Sequence, residues 1–317
     1  MLPLPYDLCS FEHVEEGEME IGLTEVLAPR PVTKSAMNKL GRRIRKDGIG
    51  EPEILAYGEI SRWYNNFSGY LEGILRTVDW EAATGAKDVI VSARAKRLET
   101  TAAKLARNPD RPMANIVDLA GIRVEGEMTL QQQDKVVRRI CWLFGLDDDC
   151  VHDLRTNPHA GYRAVHIRAI FDDYDALAEI QVRTRAQGAW ANAYEELGEA
   201  LGRGIRYGET EDLPKEHLRL AAMLQRISVD TVAKAEEMQN SMADSITHAR
   251  QVQGRMLRGG RLRWLSPRFW HVWIYTLRVK RSAAQLRGIE LEYTTILGSL
   301  RDEIRDWREG RVDSLGI

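Results

Sequence analysis

Helical and strand periodicities alternate along most of this 317-residue chain, which predicts a mixed α and β core over residues 30–245 and a basic helical extension over 246–317. Three observations carry that reading. Apolar residues at spacings of three and four put Ile60, Tyr64, Phe67, Leu71 and Leu75 on one helix face. Strict alternation in PHAGYRAVHIRAIF, residues 158–171, marks a strand with Tyr162, Ala164, His166 and Arg168 on one face and Arg163, Val165, Ile167, Ala169 and Phe171 on the other. Between Asp244 and Glu290 there is no acidic residue, whereas Arg250, Arg255, Arg258, Arg261, Arg263, Arg268, Arg278, Lys280, Arg281 and Arg287 are all basic.

The elements follow in order. RPVTKSAMNKLGRRIRKDG offers Thr33 or Ser35 as a helix cap, with basic residues late in the helix and Gly48 and Gly50 to stop it. EPEILAYGEISRWYNNFSGYLEGILRTVDW is the longer helix. KDVIVSARAKR switches the period to two, and LETTAAKLAR switches it back. Strand signals recur at Gly121–Glu125, in the 158–171 stretch and at ALAEIQVRT. Helical patterns fill QQQDKVVRRICWLFG, RAQGAWANAYEELGEAL and the Leu220, Leu224, Ile227 series. A last amphipathic helix carries Tyr293, Leu297, Leu300, Ile304 and Trp307, and Gly259, Gly260 and Pro267 break the extension into pieces.

Composition narrows the class. At 44% hydrophobic and 29% charged the chain can bury a core and is not a disordered protein. No run approaches the roughly 20 apolar residues of a membrane span, and the N-terminus lacks a basic region followed by an apolar one, so a cytoplasmic protein is expected. Cys9, Cys141 and Cys150 have no metal-ligand spacing and are expected to be inert thiols. The net charge of -2 conceals an asymmetry, because the segment 1–29 holds Asp7, Glu12, Glu15, Glu16, Glu18, Glu20 and Glu25 without a Lys or Arg. An acidic head and a basic tail suggest a polyanionic partner for the tail or an internal clasp.

Three segments carry chemistry. Arg94 and Lys96 share a strand face, and Thr100, Lys104 and Arg107 share a face of the helix that follows. Such a corner suits phosphate oxygens, although a solvated basic helix has the same pattern. Asp118 precedes a strand in apolar surroundings, and Glu179 shares a strand face with Gln181 and Arg183. Two carboxylates near phosphate-binding cations suit magnesium-dependent phosphoryl chemistry; equally, Glu179 could pair with Arg183 while Asp118 caps a turn. On the 158–171 strand, Tyr162 beside the small Ala164 leaves room for a planar group to stack, and His166 and Arg168 can reach phosphates or ring edges. A half-exposed core tyrosine is the alternative there.

The order of RAKRLETTAAKLAR, DLAGIRV, GYRAVHI and EIQVRT resembles the synthetase domain of the RelA/SpoT alarmone enzymes, over roughly residues 35–235. The resemblance implies an α+β, nucleotidyltransferase-like fold: a mixed five-stranded sheet surrounded by helices. It implies transfer of the β,γ-pyrophosphate of ATP to a ribose 3'-hydroxyl, giving (p)ppGpp when the acceptor is GDP or GTP. By the same resemblance Arg94, Lys96, Thr100, Lys104 and Arg107 hold the ATP phosphates, Asp118 and Glu179 bind Mg2+, and Glu179 is the base. Tyr162 would stack on the acceptor base, with Arg155, His166, Gln181 and Arg183 around it, while Trp190, Glu195 and Glu196 close the pocket. The chain departs from the family in having Ala164 for a serine, Arg155 in place of a lysine, and Thr100-Thr101 for Ser-Ile. It lacks a helical bundle with His and His-Asp pairs ahead of the synthetase region, so synthesis without hydrolysis is expected.

Relatives of this kind divide into makers of (p)ppGpp or its adenosine counterparts and toxins that pyrophosphorylate the 3' end of tRNA, held in check by an antitoxin or serving phage defence. The extension bears on that division, since it interleaves Trp264, Phe269, Trp270, Trp273 and Tyr275 with Arg261, Arg263, Arg268, Arg278, Lys280 and Arg281, a composition suited to RNA. Phe269–Leu277 could instead dock on the core, meet an anionic membrane, or receive an inhibitory partner. Three functions are compatible with these residues: a guanine-nucleotide pyrophosphokinase, the same chemistry on tRNA, and an idle RNA-binding relative. A homo-oligomer is compatible with each.

Overall fold

The computed structural model describes residues 27–208, 213–258 and 267–312. The Thr33 hydroxyl accepts from the Ala36 amide (3.2 Å) and caps α1 (Lys34–Asp47), which stops at Gly48. Helix α2 (Glu51–Arg76) starts with Pro52 in its first turn and buries Ile60, Tyr64, Phe67, Leu71 and Leu75. Each such side chain stabilises the fold by about 1.5–3 kcal/mol. A short α3 (Trp80–Thr84) turns the chain into β1 (Lys87–Ala95), followed by α4 (Leu98–Arg107). Two 3-10 turns lead into β2 (Ala120–Glu127), and Thr129 with Gln132 forms a capping box for α5 (Leu130–Phe144). Strands β3 (Val151–Asp153), β4 (Val165–Phe171) and β5 (Ala176–Thr184) complete the sheet. A second capping box, Thr184 with Gln187, starts α6 (Arg185–Leu201). Helix α7 (Lys215–Arg226) continues through a π-helical turn (Ile227–Val232) into α8 (Ala233–Arg258), and α9 (Pro267–Arg308) is the last helix described.

The sheet is mixed and five-stranded, in the order β1-β2-β5-β4-β3, with β2 and β5 parallel and the other pairs antiparallel. Its inner face buries Ile122, Val124, Val165, Ile167, Ile180 and Val182 in the main core with α2 and α5. Register places Gly121 opposite Glu179, Arg123 opposite Gln181 and Glu125 opposite Arg183. On the other flank of β5, His166 lies opposite Gln181 and Arg168 opposite Glu179. The polar residues of three neighbouring strands therefore form one surface.

Two expectations change here. Strand β4 begins at Val165, so Tyr162, Arg163 and Ala164 precede it, after a turn in which Ala160 (φ 49°) and Gly161 (φ 82°) are left-handed and Tyr162 makes an isolated bridge to His159. Ala164 is fully buried and opens no space beside the tyrosine ring. Second, residue 245 lies inside α8, and α9 shares a hydrophobic core with α6 and α7, in which Leu297 and Ile304 meet Trp190, Tyr194, Leu197 and Leu224. The Phe269–Leu277 stretch of α9 lays one side against α8, burying Thr276 next to Gln253 (3.4 Å), and leaves Trp270 45% and Trp273 43% exposed on the other. Among the described residues no helix is long and apolar enough to cross a membrane. Burial pushes the Cys141 thiol up to about 12, which suits an unreactive side chain; Cys9 lies outside the described residues.

Candidate active site

The phosphate corner and the first carboxylate meet directly. Lys96, one residue past β1, is fixed by its amide on the Leu119 carbonyl (3.2 Å). Its ammonium lies 2.5 Å from Asp118 Oδ2, while Lys104 from the middle of α4 lies 2.8 Å from Oδ1. Both Asp118 oxygens thus face cations. Because Ala120 pairs with Ala178, Asp118 stands at the end of the sheet where Glu179 emerges, and Gly121 beside Glu179 keeps that space free of a side chain. A cavity of about 650 Å³ opens there, lined among others by Lys104, Arg107, Arg111, Val117, Arg168 and Glu179.

Glu179 belongs to a closed ring of polar contacts. Its Oε1 is 3.3 Å from His166 Nδ1, and its Oε2 accepts from Gln181 Nε2 at 2.9 Å. Arg183 Nη2 donates to Gln181 Oε1 (2.6 Å) and to the Tyr162 hydroxyl (2.7 Å), and that hydroxyl lies 2.9 Å from His166 Nε2. An imidazole carrying its proton on Nδ1 satisfies every partner: it donates to Glu179 and accepts from Tyr162. Burial alone would raise the Glu179 pKa, but His166, Gln181 and the Lys104 charge outweigh it and bring the carboxyl down to about 2. Burial pushes the Tyr162 phenol up, keeping it a hydrogen donor. The Arg183 guanidinium lies 5.1 Å from the Tyr162 ring centroid, and its Nε and Nη1 are buried without a hydrogen-bond partner among the described residues.

Other expected residues stand apart from this ring. Thr100 donates to the Arg97 carbonyl in the first turn of α4, while its neighbour Thr101 is the buried one, 2.8 Å from the Tyr57 hydroxyl. Arg94 is largely exposed and reaches Glu195 at 3.4 Å. Arg155 is engaged by Asp153 (2.6 Å) and Asp134 (2.7 Å), away from Tyr162's own partners. Trp190 does not line the pocket; it is buried, stacks on Tyr194 (4.8 Å) and donates to the Leu224 carbonyl at 2.6 Å. Glu196 turns towards α9, 2.9 Å from Arg308. Of the expected RNA contacts, Arg268, Trp270, Arg278, Lys280 and Arg281 are exposed on α9, and Arg261, Arg263 and Trp264 lie outside the described residues.

The structure also adds residues. Arg123 and Arg206 join Arg94 around Glu195, at 3.1 and 3.2 Å. Burial would raise the Glu195 carboxyl, yet these guanidiniums hold it at about 2. The alternation in AGIRVEGE already puts Arg123 on the Gly121 and Glu125 face, whereas Arg206 comes from a short 3-10 helix (Arg203–Tyr207) too brief to leave a periodic signal. Glu125 packs so closely on α6 that a Cβ at Gly188 would lie 1.9 Å from its Oε2, so a larger residue there would have to push that carboxylate aside.

Among the described residues no group of three or more His, Cys, Asp or Glu side chains could hold a metal ion; the carboxylates of Asp118 and Glu179 are hard oxygen donors of the type magnesium takes alongside phosphates and water. Fold and site together define an α+β protein in which Asp118, held by two lysines, stands at the end of the sheet from whose polar face Glu179 projects. The family described as the region found in RelA/SpoT proteins matches residues 93–197, the span from β1 into α6. An uncharacterised protein of Mycobacterium tuberculosis (strain H37Rv) is 35% identical over 217 residues, covering 66% of this chain and 77% of that protein, and a Mycobacterium bovis protein matches equally. Among solved structures, small alarmone synthetase 1 from Bacillus subtilis aligns at 18% identity over 62% of this chain and 97% of its own, with a TM-score of 0.42. A GTP pyrophosphokinase family protein from Streptococcus pneumoniae aligns at 22% identity over 62% of this chain and 96% of its own, with a TM-score of 0.45. The chain belongs to the RelA/SpoT family.

Proposed function

We propose that the protein is a magnesium-dependent pyrophosphokinase that transfers the β,γ-pyrophosphate of ATP to the ribose 3'-hydroxyl of GDP or GTP. The observation that carries this reading is Asp118 held between Lys96 and Lys104, with Lys104 and Glu179 both lining one cavity. Lysines that balance a carboxylate without ligand are placed to balance phosphates with one; Arg107, lining the same cavity as Lys104, adds a further cation, and the family resemblance adds Arg94 and the Thr100 hydroxyl as phosphate contacts. Asp118 and Glu179 would hold the magnesium ion, which when bound supplies charge neutralisation on the transferring phosphates. The acceptor 3'-oxygen attacks the β-phosphorus, the bond from that phosphorus to the α,β-bridging oxygen breaks, and AMP leaves. The hydroxyl proton passes to Glu179. A carboxylate held near 2 is a weak base, which suffices for a loose transition state in which the nucleophile keeps its proton until late. Tyr162, fixed by His166 and Arg183, offers its ring to the acceptor base.

The test is incubation with γ-labelled ATP and magnesium and, separately, GDP, GTP, AMP or deacylated tRNA. Label in GDP or GTP is expected; label in none of the four overturns the reading. The exposed Trp270 and Trp273 on the basic face of α9 favour a second reading, in which the acceptor is the 3' end of tRNA and an antitoxin restrains the enzyme. Under that reading Trp270→Ala with Trp273→Ala abolishes labelling of tRNA; unchanged labelling excludes a role for the stripe.

A further inference from the structure

The turn that carries Tyr162 precedes β4 and contains two left-handed residues, Ala160 and Gly161; backbone bonds from Tyr162 to the His159 carbonyl (2.9 Å) and from Leu154 to the Ala164 carbonyl (3.0 Å) tie it in part, and side chains complete the hold. Two side chains of the helix running from α7 into α8 do so. Ser228, in the π-helical turn, donates to the Gly161 carbonyl at 2.5 Å and is buried. Glu236 of α8 takes Arg163 Nη1 on Oε2 at 2.5 Å and the Thr184 hydroxyl on Oε1 at 2.5 Å. Arg163 follows Tyr162, and Thr184 follows Arg183. One carboxylate thus ties together the two segments whose preceding residues form the ring around Glu179.

The fit is close. A Cβ at Gly161 would lie 2.9 Å from Trp190 Cζ2 and 3.0 Å from Gln225 Cα, so the turn is pressed against α6 and α7. The wider π turn lessens the rotation between Ser228 and Glu236, which brings both round to the same loop. Arg163 and Glu236 are each about 5% exposed or less. A buried ion pair is a costly way to add stability, since apolar residues of equal volume do as well; its attested use is to fix one arrangement. Burial, and after it the Glu236 charge, pushes the phenol pKa of Tyr293 of α9 up.

We propose that Glu236 and Ser228 are positioning residues, through which the α7–α8 helix holds the Gly161–Ala164 turn and so sets the acceptor platform at Tyr162. This rests on the reading of Tyr162 as the acceptor site. The test uses the full-length protein and the variants Glu236→Gln, Glu236→Asp and Ser228→Ala. Two quantities are read: amide hydrogen exchange over residues 158–166 against β2 and α4, and the KM for acceptor against that for ATP. Glu236→Gln should speed exchange in 158–166 only and raise the acceptor KM roughly tenfold with the ATP KM unchanged, as loss of one charge-assisted contact implies. Glu236→Asp should recover part of both, and Ser228→Ala, a milder change, should move both in the same direction. Unchanged exchange in both Glu236→Gln and Ser228→Ala, or equal rises in the two KM values, overturns the proposal. If Glu236→Gln does not fold, Ser228→Ala decides alone. If the wild type labels no acceptor, the acceptor reading fails by itself and the exchange arm still decides whether the helix holds the turn.

Discussion

Replacing Asp118 by Asn separates binding from turnover. The substitution keeps shape but removes the charge between Lys96 and Lys104, whose side chains are 18% and 28% exposed. An amide can accept from only one of the two, so at least one charge-assisted hydrogen bond is lost, at about 1.5–3 kcal/mol, and two ammonium groups face each other unbalanced. Partial exposure trims the cost to about 2 kcal/mol, a fall in Tm of several degrees. ATP without magnesium should offset this, because its phosphates take the place of the carboxylate. ATP binding in EDTA should tighten in the variant, while pyrophosphate transfer with magnesium falls roughly 10²–10³-fold. Calorimetric unfolding with and without ATP, titration calorimetry in EDTA and initial rates measure the three quantities. Weaker ATP binding in EDTA, or wild-type transfer, would refute the reasoning.

Other outcomes follow from the same geometry. Tyr162→Phe removes the link between His166 and Arg183 and should raise the acceptor KM several-fold while sparing that for ATP, whereas Tyr162→Ala should do so more strongly; equal effects on both substrates mark a structural tyrosine. Glu179 is pulled from an ordinary 4.5 to about 2, so its contribution, on the order of 3 kcal/mol, is present above pH 4.5 and lost as the pH falls to 2. Glu179→Gln should lack that part of the acid transition and lose transfer, which unfolding curves between pH 2 and 6 and rate assays would check. Leu297→Ala or Ile304→Ala should destabilise the whole protein by about 2–5 kcal/mol in urea unfolding, because α9 completes the core around Trp190. Trp270→Ala should change stability by no more than about 1 kcal/mol, its ring being half out in solvent.

The sequence made the local order legible because caps and periods act locally. Thr33 caps α1, the 3-4 spacing of Ile60 to Leu75 is the buried face of α2, and the alternation in ALAEIQVRT presents Glu179, Gln181 and Arg183 together. Alternation ran three residues too far at Tyr162, where Gly161 rather than the pleat turns the side chain to the His166 side. By the same pattern Arg163 belongs on an apolar face; it is buried there because Glu236, 73 residues on, neutralises it. Pairings at such separations leave no periodic trace, which also hid the turning of Glu196 to Arg308 of α9; Arg206, only 11 residues from Glu195, was hidden by the short 3-10 turn it sits in. The basic run that suggested a division at residue 245 reflects surface charge, whereas the chain continues through α8 without a break.

The most direct test of the account follows two labels in one reaction. With GDP or GTP, magnesium and ATP labelled at either the α or the γ position, γ-label should enter the guanine nucleotide in a one-to-one ratio with α-labelled AMP, and both should vanish in Glu179→Gln. Release of the γ-label as inorganic phosphate, or AMP formed without a labelled nucleotide, would contradict pyrophosphate transfer at this site.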